Sequence, residues 1–265
     1  MKFRYLLLAA AAVSAPLLAK PVPRAAVPVQ SNPAAPKQAC DRLAAALTPD
    51  SAVPRQTDSI IASMLLAMVK QDNGFAALNQ KFPGLTDAIG VRLRPLLIEG
   101  SLATLPLYRA ELSQLYCETL TLAEAKAAVT FFESEDGQAM MSSASANLEY
   151  SSSVAALVKG GEASSSDLRS DARAAAQQTA AAMPAASKLR AAQFFASPAG
   201  QKLIGIGPRK SALDQKWFNY SPPGMEERVA AATAEAMVDH IGKTDPALAT
   251  KLHNLMVEKG ILPKD

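Results

Sequence analysis

An all-α fold, a multi-helix bundle with a duplicated helix-break-helix unit, is predicted by three observations. Apolar residues recur at spacings of three and four along one segment after another, and no run alternates convincingly as a half-buried strand does. Hydrophobic residues make up 49% of the chain but aromatics only 5%, so the core is filled mainly by Ala, Leu, Val, Ile and Met, which suits close helix packing. Finally, FFESEDGQAMM at 131–141 returns as FFASPAGQKLI at 194–204, with Phe, Phe, Ser, Gly and Gln in the same register 63 residues later.

At the amino terminus Lys2 and Arg4 precede an apolar run from Tyr5 to Ala19, and the composition then changes abruptly to Lys20-Pro21-Val22-Pro23. This is the layout of a secretory signal peptide over 1–19, with Ala19 as the last residue removed. The apolar run is about 15 residues, short of the roughly 20 that span a hydrocarbon core. Leu17 suits its place before the cleavage point less well than Ala, so retention as a membrane anchor stays the alternative. No Cys follows the run closely enough to carry a lipid, Cys40 being far downstream. Residues 20–37 hold Pro21, Pro23, Pro28, Pro33 and Pro36 and read as a disordered tether. The remainder, 38–265, is long enough to bury a sizeable core as one domain or two closely packed halves.

Helices are expected in order along that domain. Gln38 to Leu47 forms the first, stopped by Thr48-Pro49, and Arg55 to Lys70 the second, ending in the turn-prone Asp72-Asn73-Gly74. Thr86 to Cys117 is helical in pattern, with Pro95 and Pro106 expected to kink or divide it and its apolar stretch Leu96 to Leu107 expected to be buried. Thr121 opens the next as an N-cap with Glu124 completing a capping box, and Leu122, Ala125, Val129 and Phe132 form its apolar stripe. Gly160-Gly161 and Ser164 to Ser166 mark a central loop. Further helices run from about Asp167 to Met183, Ala185 to Ala196, Pro198 to Tyr220 with an interruption at Gly205-Ile206-Gly207-Pro208, Met225 to Ile241, and Pro246 to Lys259.

The repeated motif has a structural reading. Ser197 followed by Pro198 is a strong helix start, because a Ser hydroxyl caps orphan amides and Pro is favoured at the first helical position. Ser134 takes the same place in the first copy, where Glu135 and Asp136 complement the helix dipole. One helix therefore ends at Phe131-Phe132 or Phe194-Phe195 and a second begins at the Ser. Gly137 and Gly200 fall in the first turn of that second helix, a costly place for Gly unless other backbone must come close. Gln138 and Gln201 follow them. Two related joints, in units at about 104–160 and 168–220, are expected to be scaffold and not a catalytic or ligand signature.

The stretch from Tyr108 through Cys117, then Thr121-Leu122-Ala123-Glu124 and Phe131-Phe132-Glu133-Ser134-Glu135-Asp136-Gly137-Gln138, resembles the domain of unknown function 2059 family. Members are exported, all-helical bacterial proteins in which a T-x-x-E helix start leads to an F-[FY]-x-S-P-x-G joint. The second copy keeps the Pro, at Pro198, that the first replaces with Glu135. The resemblance implies an exported helical protein and carries no activity with it.

Other chemistries find little support. Net charge is +3 and falls to +1 once Lys2 and Arg4 are removed, with no basic stripe of the kind nucleic-acid binders carry. Cys40 and Cys117, an even pair in a chain bound for an oxidising compartment, favour a disulfide worth about 4 kcal/mol in the chain-entropy account; two buried free thiols are the alternative. No G-x-S-x-G and no Ser-x-x-Lys occurs. His240 and His253, even with Asp239, make a weak metal set, and Met64 and Met68 read as core filler before copper thioethers. Trp217, Phe218 and Tyr220 read as a core anchor before a binding patch.

The expectation is an exported, non-catalytic binding or structural module, periplasmic or secreted, with an envelope protein or polymer as partner and no cofactor, metal or nucleic acid. The rivals are a peptidoglycan lytic enzyme using Glu133, and a small-ligand or lipid carrier.

Overall fold

A computed structural model describes residues 36–263. The segment 1–19 and all but the last two residues of the tether lie outside the described residues; Pro36 is the cap position and Lys37 the first residue of helix α1 (Lys37–Leu47). Among the described residues the chain is helical with no strand.

A single long helix organises the molecule. Helix α4 (Leu85–Thr119) is 35 residues, about 52 Å at 1.5 Å per residue, and passes through two hydrophobic cores. Its first half places Leu85, Ile89, Leu93 and Leu97 in a core shared with α2 (Val53–Gln71), α3 (Asn73–Lys81), α7 (Ser151–Val158), α8 (Ser165–Ala182), α12 (Met225–Gly242) and α13 (Pro246–Glu258). Its second half places Leu105, Tyr108, Leu112 and Tyr116 in a core shared with α1, α5 (Leu122–Glu133), α6 (Glu135–Asn147), α9 (Ala185–Ala196) and α10 (Pro198–Gly205). Helix α11 (Gly207–Phe218) lies at the seam. Consecutive residues point about 100° apart on a helix, so Trp217 enters the second core while Phe218 enters the first. Both are buried, and Tyr220 is partly exposed.

Helix α4 is not divided at Pro95 or Pro106, and the stretch Leu96 to Leu107, expected to be buried, is not buried throughout. Pro95 and Pro106 sit on its exposed face. Each deprives the carbonyl four residues earlier of a partner, and those carbonyls belong to Val91 and Leu102, which are themselves exposed, so water can satisfy them. Two cores grip the opposite face and hold the helix through both prolines. Leu102 and Leu107 face outward while Leu97 and Leu105 face in, so Leu96 to Leu107 is amphipathic.

Asp72-Asn73-Gly74 ends α2, as expected, and also starts a further helix: the Asp72 carboxylate accepts the Phe75 amide at 3.0 Å and caps α3. Helix α7 has no capping side chain at its own N-cap, Tyr150. The buried Asp171 of α8 supplies one from outside, accepting the amides of Ser152 and Ser153 and the Ser153 hydroxyl. The chain from Pro198 breaks at Ile206, which is buried and separates α10 from α11.

At the seam lies a buried ionic group. Lys210 is 4% exposed and donates to both carboxylate oxygens of Asp214 at 2.8 and 2.7 Å, while the Tyr108 hydroxyl donates to the same carboxylate at 2.6 Å. Burial, reinforced by the Asp214 charge, pushes the phenols of Tyr108, Tyr116 and Tyr150 well above their ordinary pKa.

Candidate functional site

The repeated motif builds two joints of one design. Ser134 is at once the last cap of α5 and the first cap of α6; its hydroxyl donates to the Phe131 carbonyl at 2.6 Å and accepts the Gly137 amide at 3.2 Å. Ser197 stands in the same way between α9 and α10 and accepts the Gly200 amide at 3.2 Å. Their backbones coincide, φ −68° and ψ 161° at Ser134 against φ −70° and ψ 161° at Ser197. The amides of Gln138 and Gln201 donate back to carbonyls at the end of the preceding helix, Glu133 at 3.1 Å and Phe195 at 2.7 Å. The sharp turn brings that helix's end onto the first turn of the next. A Cβ at Gly137 would lie 2.1 Å from the Phe131 carbonyl oxygen, and one at Gly200 2.3 Å from that of Phe194. The backbone that glycine admits is thus the joint's own.

The two joints face each other. Phe131 stacks on Phe194 with centroids 4.1 Å apart and planes 4° from parallel, and Phe132 and Phe195 pack edge-on around that pair. The helices then pack crosswise, α5 on α10 and α6 on α9. Polar contacts fasten both crossings. Glu124, which completes the capping box with Thr121, also binds Lys202 at 2.7 Å. Asp136 accepts from the Arg190 guanidinium and from the Ser187 hydroxyl at 2.7 Å, which hold its pKa down at about 2. A carboxylate depressed in the folded state contributes stability above its unfolded pKa and loses it as pH falls through the folded one. The stability difference between the wild type and Asp136→Asn is therefore expected to be full at pH 5 and to shrink between about pH 4 and 2, as measured by urea unfolding midpoints. Ser197→Ala is expected to lower stability by about 1 kcal/mol through the lost cap, read from the same curves.

Cys40 and Cys117 lie at disulfide distance, with sulfurs 2.17 Å apart, and fasten α1 to the end of α4. Beside them Glu133 is held by Arg42, whose Nε and Nη2 donate to its two carboxylate oxygens at 2.7 and 2.5 Å. That side-chain bond lowers the Glu133 pKa. A glycosidase general acid needs the reverse shift, so that it keeps a proton near neutral pH. Two surface grooves share Glu133 as a wall. One, of about 480 Å³, lies between the α1–α2 connection and the first joint, and the other, of about 490 Å³, lies beside Lys126 and Val129 of α5.

Other residues considered from the sequence are dispersed. Among the described residues no group of three or more His, Cys, Asp and Glu is placed to hold a metal. His240 Nε2 lies 3.0 Å from the Pro83 carbonyl oxygen, while Met64 is buried in the first core with Met68 packed against it. Among the described residues no helix is long and apolar enough to cross a membrane. Sequence reasoning missed Arg42, the seam group of Tyr108, Lys210 and Asp214, and Arg55 of the first groove. Only Lys210 and Asp214 carried a signal, an i,i+4 spacing indistinguishable from that of a surface pair.

This geometry defines an all-helical protein built around two mutually packed joints. Residues 109–157 match a family model described as an uncharacterized protein conserved in bacteria, domain of unknown function 2059. The match runs from the second half of α4 into α7; it contains the first joint and stops before the second. No curated protein and no solved structure matches the chain.

Proposed function

We propose that the chain is an exported, non-catalytic binding or structural module of the bacterial cell envelope, carrying a signal segment at 1–19 and a tether at 20–37. The observation that carries this reading is how the repeated motif is spent. Phe, Ser, Gly and Gln of both copies are engaged in building the joints and packing them together, and Glu133, the acid a lytic reading needs, is held by Arg42 with its pKa lowered. The cysteine pair at disulfide distance is compatible with an oxidising compartment. The partner class is an envelope protein or polymer.

The test has two parts. Expressed from its full sequence in a bacterial host, the protein is expected in the osmotic-shock fraction, shortened to begin at Lys20 and resistant to thiol alkylation until reduced. Incubated with purified peptidoglycan, it is expected to release no soluble fragments. Release that disappears in Glu133→Gln would establish the lytic enzyme instead.

A further inference from the structure

We propose, beyond the module reading and independently of it, that the groove beside the first joint is a binding site for a small monocarboxylate with an apolar body. Its volume, about 480 Å³, falls in the range of small-molecule sites, and its lining divides into an apolar floor and a polar rim. Phe132 and Met141, both buried, form the floor. The rim carries Arg55 and the hydroxyls of Ser51, Ser142 and Ser145.

Charge gives the ligand its sign. The two carboxylates nearest the groove in the chain are already engaged: Glu133 by Arg42 at 2.5 Å, and Asp50, between Pro49 and Ser51 of the lining, by Arg109 at 2.6 Å. Arg55 forms no ion pair among the described residues; its contact is a long hydrogen bond, 3.5 Å, from Nη1 to the Ser142 hydroxyl. The groove therefore holds one uncompensated guanidinium beside hydroxyl donors and above an apolar floor. A guanidinium presents a planar fork of donors that fits a carboxylate in bidentate fashion, and the serine hydroxyls can supply further donors. An acyl or side-chain body attached to that carboxylate would cover Phe132 and Met141. A compact inorganic anion would leave the floor wet, and a neutral apolar molecule would leave Arg55 unanswered.

Octanoate, with octanamide as its neutral counterpart and inorganic phosphate as a compact anion, probes each half of this proposal in an amide-resolved NMR titration of the mature protein. Octanoate is expected to shift the Ser142 and Ser145 amides saturably, with affinity at least tenfold above that for octanamide or phosphate. Arg55→Gln, a surface change expected to leave the unfolding midpoint unmoved, should weaken octanoate at least tenfold, while Arg173→Gln, an exposed arginine on α8, should not. Absence of a saturable shift, equal affinity for octanamide, or indifference to Arg55→Gln would overturn the site. Phosphate binding as well as octanoate would overturn its apolar half. None of these results bears on whether the protein releases peptidoglycan fragments, so the site and the module reading fail separately.

Discussion

Gly137→Ala and Gly200→Ala are each expected to destabilise the protein by about 4 kcal/mol or more, a large fraction of the roughly 5–15 kcal/mol of an ordinary domain. The added methyl would sit 2.1 Å from the Phe131 oxygen in one joint and 2.3 Å from the Phe194 oxygen in the other, and within 2.7 and 2.5 Å of the next Cα. Overpacking that side chains relieve costs about 1–3 kcal/mol. Here the obstacle is backbone, so relief must swing one helix away from the next. That movement would also break the Ser cap and separate the stacked phenylalanines. Gly205→Ala is the control, because nothing lies within 4 Å of a Cβ there. It is expected to be near neutral in urea unfolding; equal midpoints for all three variants would mean that the joints yield easily.

Lys210→Met is expected to cost about 3–5 kcal/mol, the range for removing one partner of a buried ion pair. The loss would come less from the missing attraction than from the charge left behind, since Asp214 would keep a buried carboxylate with Tyr108 as its remaining donor among the three residues of this group. Replacing the whole group, Lys210→Met with Asp214→Leu and Tyr108→Phe, is expected to recover most of that loss, because well-packed apolar residues substitute for buried ion pairs at little cost. Chemical denaturation of the single and triple variants checks both statements. A single variant as stable as the wild type would mean that water reaches the Asp214 carboxylate.

Local chemistry was largely legible in the sequence, and long-range pairing was not. Thr121 with Glu124 and Ser197 with Pro198 announce helix starts because capping is a property of four adjacent residues, and the structure forms both caps. The cysteines announced each other because the chain has only two. Pro95 and Pro106 do not divide α4, because both face solvent, where water can satisfy the freed carbonyls, while two cores hold the opposite face. Asp72-Asn73-Gly74 ends α2 as expected, and the start of α3 at the same residues was not legible because turn residues and capping residues are the same residues. Nothing in the spacing of either Phe pair indicates that Phe131 stacks on Phe194, and Arg42 meets Glu133 across 91 residues with no sequence mark. Arg55 is distinguished by where the fold places it, on the lining of the first groove without a carboxylate partner among the described residues, and no sequence spacing marks that.

The contact between the two joints is tested most directly by a double-mutant cycle on its centre, Phe131→Leu, Phe194→Leu and the double variant, followed by equilibrium unfolding. Rings stacked at 4.1 Å should be coupled, and the double variant is expected to lose about 0.5–1.5 kcal/mol less than the sum of the single losses. Additivity within about 0.3 kcal/mol would mean that the two phenylalanines do not touch, and would contradict the account of the repeated motif as a pair of mutually packed joints.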